Sequence, residues 1–222
     1  MRALELDPGY SQAYAALSMA YNLDYQNRWS DNPDTSLGLA KQNAELAIEK
    51  NPNEPFARLV AAWAAMFEKD LDRAKSEADN TLALNPNSSA AYVILGHIET
   101  LSGRPLEAIP AIERAMRLDP AFRAQHLHFL GMAYLLAGKY ETAAALLKER
   151  VNLTPGTDFG RALLASALGH LGDVVEARRI WRELKEINPR YSFSEHFARQ
   201  PFKNQKDVQR IADGLAKAGL MV

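Results

Sequence analysis

The sequence predicts an all-α fold, a solenoid of stacked helical hairpins, and three observations carry that expectation. A triplet ending in proline recurs at near-constant spacing, a small residue recurs twelve positions before each proline after the first, and glycine falls just ahead of that small residue in the later intervals. Self-similarity at a period of roughly 20–50 residues marks repeat architectures, in which a unit buries its apolar face only against a neighbour.

The triplets are Leu6-Asp7-Pro8, Lys50-Asn51-Pro52, Leu84-Asn85-Pro86, Leu118-Asp119-Pro120, Leu153-Thr154-Pro155 and Ile187-Asn188-Pro189, with prolines 44, 34, 34, 35 and 34 residues apart. The stretches from Gly103 to Ala108, Gly138 to Ala143 and Gly172 to Ala177 share one pattern, and glycine there supplies the backbone freedom for a tight turn between two helices. Ala40, Ala74, Ala108, Ala143 and Ala177 recur at one place in the following helix, where neighbours can close together only if no bulky side chain intervenes. Each unit therefore reads as a hairpin of a helix A and a helix B.

In chain order the expectation is a partial helix B at 1–8, hairpin units at 11–54, 55–88, 89–122, 123–157 and 158–191, and a bridging segment with a capping helix in 192–222. The first unit is ten residues too long. Its surplus is expected between the two helices, around Asp24 to Pro33, because loop-closure entropy rises slowly with length. Trp29 is expected to fold back over that hairpin; the alternative is a rim loop that extends a binding surface. The extra residue of the fourth unit precedes Gly131.

At the C-terminal end Asn204 is a good N-cap, Val208, Ile211, Ala212 and Leu215 share a face, Arg210, Asp213 and Lys217 lie off it, and Gly219 ends the helix. This reads as a cap with one polar side, joined to the last unit by Tyr191 to Phe197. At the other end Ala3, Leu4, Leu6 and Pro8 read as the tail of a helix B whose partner helix is absent. The expectation is a fragment of a longer protein or an unsealed solenoid end, with apolar surface that invites self-association.

Composition narrows the function classes. A net charge of −1 from 26 basic and 27 acidic residues offers no positive field for nucleic acid or anionic membrane. Absence of cysteine excludes thiolate metal sites and thiol nucleophiles, and no apolar run approaches the roughly 20 residues that span a bilayer. The charged N-terminal residues do not form a signal peptide, so the expected location is the cytoplasm. His126 and His128 project to different sides of a helix, and His97 and His128 lack a third ligand, so no metal or cofactor is expected. Serine-nucleophile motifs, glycine-rich phosphate loops and the helical His-Glu-x-x-His pattern are missing, which makes an enzyme the least favoured class.

Tyr92-x-x-Leu95-Gly96 followed by Ala108, Ala115 and Pro120 is similar, position by position, to the tetratricopeptide-repeat (TPR) signature, as is Leu130-Gly131-x-x-Tyr134 followed by Ala143 and Pro155. The second unit departs from it, with Arg58, Ala61 and Ala62 at signature positions and its bulk moved to Phe56, Leu59, Trp63, Met66 and Phe67. The resemblance implies a right-handed superhelix of five hairpins plus a C-terminal capping helix, with the A helices lining a concave groove. It places Met19, Leu23, Phe56, Leu59, Trp63, Phe67, Val93, His97, Leu101, His128, Met132, Leu136 and Phe159 on that groove, together with Gln12, Ala15 and Asn22. Several of these could equally pack between helices, Trp63 and Phe67 above all.

An apolar groove of this kind suits a partner helix or an extended apolar segment. The chaperone-binding branch of the family uses a clamp of Lys, Asn and Arg, where this chain has Ala15 and Met19, Leu59 and Trp63, or Val93 and His97, so that partner class is not expected. The Trp29-Ser30-Asp31-Asn32-Pro33 insertion, the Glu113 to Pro120 stretch and the ending Gly214-Leu215-Ala216-Lys217-Ala218-Gly219-Leu220 resemble TPR regions that follow cyclase domains in bacterial class III adenylate/guanylate cyclase-type proteins, or winged-helix domains in other multidomain proteins. The expected function is a protein-protein interaction scaffold, a regulatory module of a larger bacterial signalling protein. The alternative is a domain that senses a small molecule or peptide.

Overall fold

A computed structural model of the chain describes residues 2–27, 29–158 and 160–220. Among these residues the regular elements are all helical: α1 (Arg2–Leu6), α2 (Ser11–Asn27), α3 (Pro33–Lys50), α4 (Pro55–Phe67), α5 (Leu71–Leu84), α6 (Ser89–Leu101), α7 (Pro105–Leu118), α8 (Arg123–Leu136), α9 (Tyr140–Leu153), α10 (Arg161–Leu171), α11 (Val174–Ile187), α12 (Phe193–Ala198) and α13 (Gln205–Lys217). One turn of 3-10 helix, Pro120–Phe122, precedes α8.

The proline triplets stop the second helix of each hairpin. Asn51, Asn85, Asp119, Thr154 and Asn188 each precede a proline, whose ring excludes the helical conformation from the residue before it. They adopt φ between −150° and −131°, yet each still donates its N–H to the carbonyl four residues back. The side-chain oxygens of Asn51, Asn85 and Asp119 then accept the N–H two residues on, at 3.1, 3.1 and 3.2 Å, which turns the chain toward the next hairpin.

Inside the later hairpins the turn is made by Gly103, Gly138 and Gly172 at φ of +80°, +75° and +80°. The residue after each glycine donates back across the helix end: Arg104 to Glu99 at 2.9 Å, Lys139 to Tyr134 at 2.9 Å and Asp173 to Leu168 at 3.0 Å, a closure that needs a left-handed residue. The second hairpin makes the same turn without glycine. Lys69 takes φ +68° there while Asp70 donates to Ala65 at 3.0 Å.

The chain divides into two compact units, one ending at Ile94 and the other beginning at Leu95, within α6. In the first, α2 packs on α3 and α4, α3 on α4, and α4 on α5. Its core is built largely of alanine: Ala15, Ala44, Ala47, Ala57, Val60 and Ala61 are all buried, with Tyr14, Met19, Ile48 and Phe56 packed against them. Small side chains let these helices approach closely, and the Ser11 hydroxyl donates across that gap to the Ala47 carbonyl at 2.8 Å.

The surplus of the first hairpin is not a ten-residue loop. Asp24 to Asn27 remain helical in α2, which runs 17 residues, and α3 starts at Pro33 and runs 18, so most of the insertion lengthens the helices. In the short connection the Asp24 carboxylate accepts the Ser30 N–H at 2.8 Å, the Ser30 hydroxyl at 2.6 Å and the Ser36 hydroxyl, and these bonds hold its pKa below the usual value. Trp29 does not fold back; it is 70% exposed. Tyr25 fills the place instead, buried with its ring edge-on to Phe67 at 5.4 Å.

In the second unit α7 packs on α8, α8 on α9, α9 on α10, and α10 on α11. The C-terminal helix α13 is amphipathic, with Asp207, Ile211, Gly214 and Leu215 buried, while Val208 and Ala212, expected on the same face, are half-buried. It lies on the first helices of two hairpins, α10 and α8.

Candidate binding surface

The first helix of each hairpin carries the residues expected on the groove. In the first unit Met19 and Phe56 are half-buried against the alanine core, Trp63 is half-buried, and Leu23 is 39% exposed. Met19 and Leu23 are one turn apart on α2, and Phe56 and Trp63 two turns apart on α4, so each pair shares a face of its helix. Leu59, Phe67 and Val93, placed on the groove by resemblance, are instead buried. Phe67 is held between Tyr25 and the Trp63 ring, which stacks on it at 6.1 Å. The reason lies in α4 itself: Ala57, Ala61, Ala62, Ala64 and Ala65 draw its neighbours in, and the larger side chains beside them are covered as well.

Beside this face a cavity of about 710 Å³ opens between α1, α2 and α4, with Leu4, Tyr10, Gln12, Ala13, Leu17 and Phe56 among its walls. Its floor is apolar. Its polar edge is a chain of bonds from the Tyr10 hydroxyl to Gln12 at 3.0 Å and from the Gln12 amide to Glu54 at 3.1 Å.

The second unit presents no comparable open strip among its described groove residues, for Leu101, Met132, Leu136, His97 and His128 are all buried. Phe159 lies outside the described residues. His97 packs its ring on Phe129 at 4.7 Å, and His128 meets the same ring edge-on at 5.2 Å. Burial pushes His97 down to about 3 and takes His128 well below the usual histidine value, where the charges of Arg150, His97 and His196 act in the same direction. Burial also takes His196 down to about 4, with Arg199 adding to the shift. These imidazoles are neutral rings of the interior. Among the described residues no three His, Asp or Glu side chains are grouped to hold a metal ion.

The groups that close this face belong to the chain's own C-terminal segment, and the groove reading missed them. The Lys203 N–H donates to the Leu101 carbonyl at 2.9 Å, and Arg210 Nη1 to the Leu136 carbonyl at 2.5 Å. The Ser166 hydroxyl donates to the Ile211 carbonyl and His170 Nε2 meets the Arg210 carbonyl, each at 2.8 Å. Arg210 reads in sequence as a solvated charge, and its reach to a helix-end carbonyl has no local signature. The signal that was available is the buried stripe of α13, which has to cover something apolar.

Residues 89–122 match the family model described as tetratricopeptide repeat. A 141-residue stretch covering 63% of the chain is 31% identical to the cytochrome c-type biogenesis protein CycH of Rhizobium meliloti (strain 1021), of which it spans 37%. A 78-residue stretch covering 33% of the chain is 37% identical to a putative adenylate cyclase 3 of the same organism, of which it spans 13%. The chain thus covers less than half the length of these relatives. Among solved structures the fold is similar to PilW, a type IV pilus biogenesis factor, with a TM-score of 0.69 at 19% identity over 93% of this chain and 91% of that one. The last likeness is one of fold.

Proposed function

We propose that this array of helical hairpins, in which residues 89–122 match the tetratricopeptide-repeat model, is a protein-protein interaction scaffold which holds a helix or an extended apolar segment of a partner polypeptide. The observation that supports this is the strip of Met19, Leu23, Phe56 and Trp63 on α2 and α4, where large apolar side chains stay partly in solvent over a tightly packed alanine core. A rigid base under a few aromatic and aliphatic anchors is the arrangement from which interfaces draw most of their affinity.

The test is affinity capture with the intact chain and with Leu23→Asp and Trp63→Ala variants, followed by mass spectrometry. A partner retained by the parent chain and lost by both variants at unchanged far-ultraviolet circular dichroism is the expected result. Partners held equally by all three would count against the strip. The likeness to a putative adenylate cyclase and to a biogenesis protein supports a regulatory or biogenesis role within a larger bacterial protein. A natural gene that joins this array to a catalytic or DNA-binding domain would bear that out, and a gene without one would remove the regulatory part.

A second reading, sensing of a small molecule or short peptide, is favoured by the cavity beside α1, whose volume lies in the range of roughly 300–1,000 Å³ typical of ligand pockets. The same apolar hollow also supports self-association. Native mass spectrometry separates the three, since it reads a bound small mass, a bound polypeptide or a doubled chain directly.

A further inference from the structure

In the second unit the first-helix face is already filled, and what fills it shows which ligand it fits. Helix α13 lies on α10 and α8, with Ile211, Leu215 and Ala218 fully buried and Gly214 at the crossing. These residues follow the spacing i, i+3, i+4, i+7 of a single helix face. The crossing is as close as backbone allows. A Cβ on Gly169 of α10 would lie 1.8 Å from the Gly214 carbonyl oxygen, and one on Gly214 would lie 2.3 Å from the Ser166 carbonyl oxygen. Neither position tolerates a side chain while the two helices remain in contact.

We propose that this face is a groove for an amphipathic helix with a small residue at the crossing point, and that the chain closes the groove with its own α13, so that a partner helix of the same pattern and α13 exclude one another. The inference rests on the scaffold reading above and assigns the second unit its ligand class and its control. The covering segment is joined to α12 through residues 199–204, a connection with no regular helix of its own. The hairpin contacts of α7 to α11 are made without it. Three of its polar anchors are backbone carbonyls that any helix presents, Ile211 to Ser166, Arg210 to His170 and Ala218 to Arg178 Nε, each at 2.8 Å, and one is a side chain, Arg210 to the Leu136 carbonyl.

The experiment uses the full chain and a fluorescein-labelled synthetic peptide of residues 203–220 as the probe, read by fluorescence anisotropy. In the intact chain the tethered helix competes at a high effective concentration, so the probe binds the Gly214→Ala chain roughly a hundredfold tighter than the parent chain. A probe that itself carries Gly214→Ala binds neither. Equal binding of the parent probe to both chains, no binding to either, or an α13-exchanged dimer in light scattering each overturns the proposal. Hydrogen exchange on the parent chain provides the second measurement, independent of any variant. Amides of α13 that exchange by local opening, at least about tenfold less protected than those of α8 and α10, support a detachable occupant. Equal protection, or global unfolding of the Gly214→Ala chain, shows that α13 is plain core and ends the inference. None of these failures touches the first-unit strip, whose own test is loss of partner capture.

Discussion

Phe67 and Trp63 are one turn apart and stacked on each other, yet they do different work. Phe67 is 3% exposed and wedged between Tyr25 and Trp63, so truncation leaves a cavity that alanine neighbours cannot collapse into. Phe67→Ala is expected to cost about 3–5 kcal/mol in urea unfolding. Trp63 keeps one side in solvent, and Trp63→Ala is expected to cost about half as much and to act mainly on partner capture. Equal losses of stability would place both rings in the core. The family resemblance put both on the groove because it reports which helix face a residue occupies, whereas the depth to which that face is covered depends on how small the neighbouring residues are.

At the scale of the element, the helix ends were the most legible feature, because proline and glycine act through backbone geometry that no tertiary contact overrides. Every residue before a triplet proline among Asn51, Asn85, Asp119, Thr154 and Asn188 has left the helical region, and each later hairpin turns at its glycine. The second hairpin shows the cost of lacking one. Lys69 holds φ +68°, a region in which a Cβ crowds the carbonyl oxygen by roughly 1–2 kcal/mol. Lys69→Gly is therefore expected to stabilise the chain by about 1 kcal/mol despite the greater freedom of glycine when unfolded, seen as a raised urea midpoint at unchanged slope. A lowered midpoint would mean that Lys69 makes a compensating contact.

The insertion of the first hairpin was legible in length but not in form. Asp24 to Asn27 hold no proline or glycine, so the chain continues α2 to Asn27, and Trp29 lies on the outside. Trp29→Ala is expected to change stability by less than about 0.5 kcal/mol. The same substitution should remove the most red-shifted and most readily quenched part of the tryptophan emission. A blue-shifted, protected Trp29 would restore the folded-back arrangement.

For the whole molecule, the histidines are distributed with a consequence that composition alone hides: all five, His97, His126, His128, His170 and His196, fall in the compact unit that begins at Leu95. Burial is the first cause of a lowered pKa at each of them. Arg150 disfavours protonation of His128, and at His196 Arg199 disfavours it while Asp158 favours it. A histidine whose folded pKa lies below 6.5 binds its proton first in the unfolded chain, so its contribution is intact above pH 6.5 and is lost as pH falls toward the folded value, about 3 for His97 and about 4 for His196. Between pH 6.5 and 5 few carboxylates titrate, and each deeply buried histidine withdraws about 2 kcal/mol. Hydrogen exchange at pH 7 and pH 5, corrected for intrinsic rates, should therefore show protection falling in α8 to α10 while α2 to α4 keep theirs. His97→Phe, which retains a ring against Phe129, should remove about 2 kcal/mol of that loss. Acid lability spread evenly over both units would mean that carboxylates, not these imidazoles, set the response.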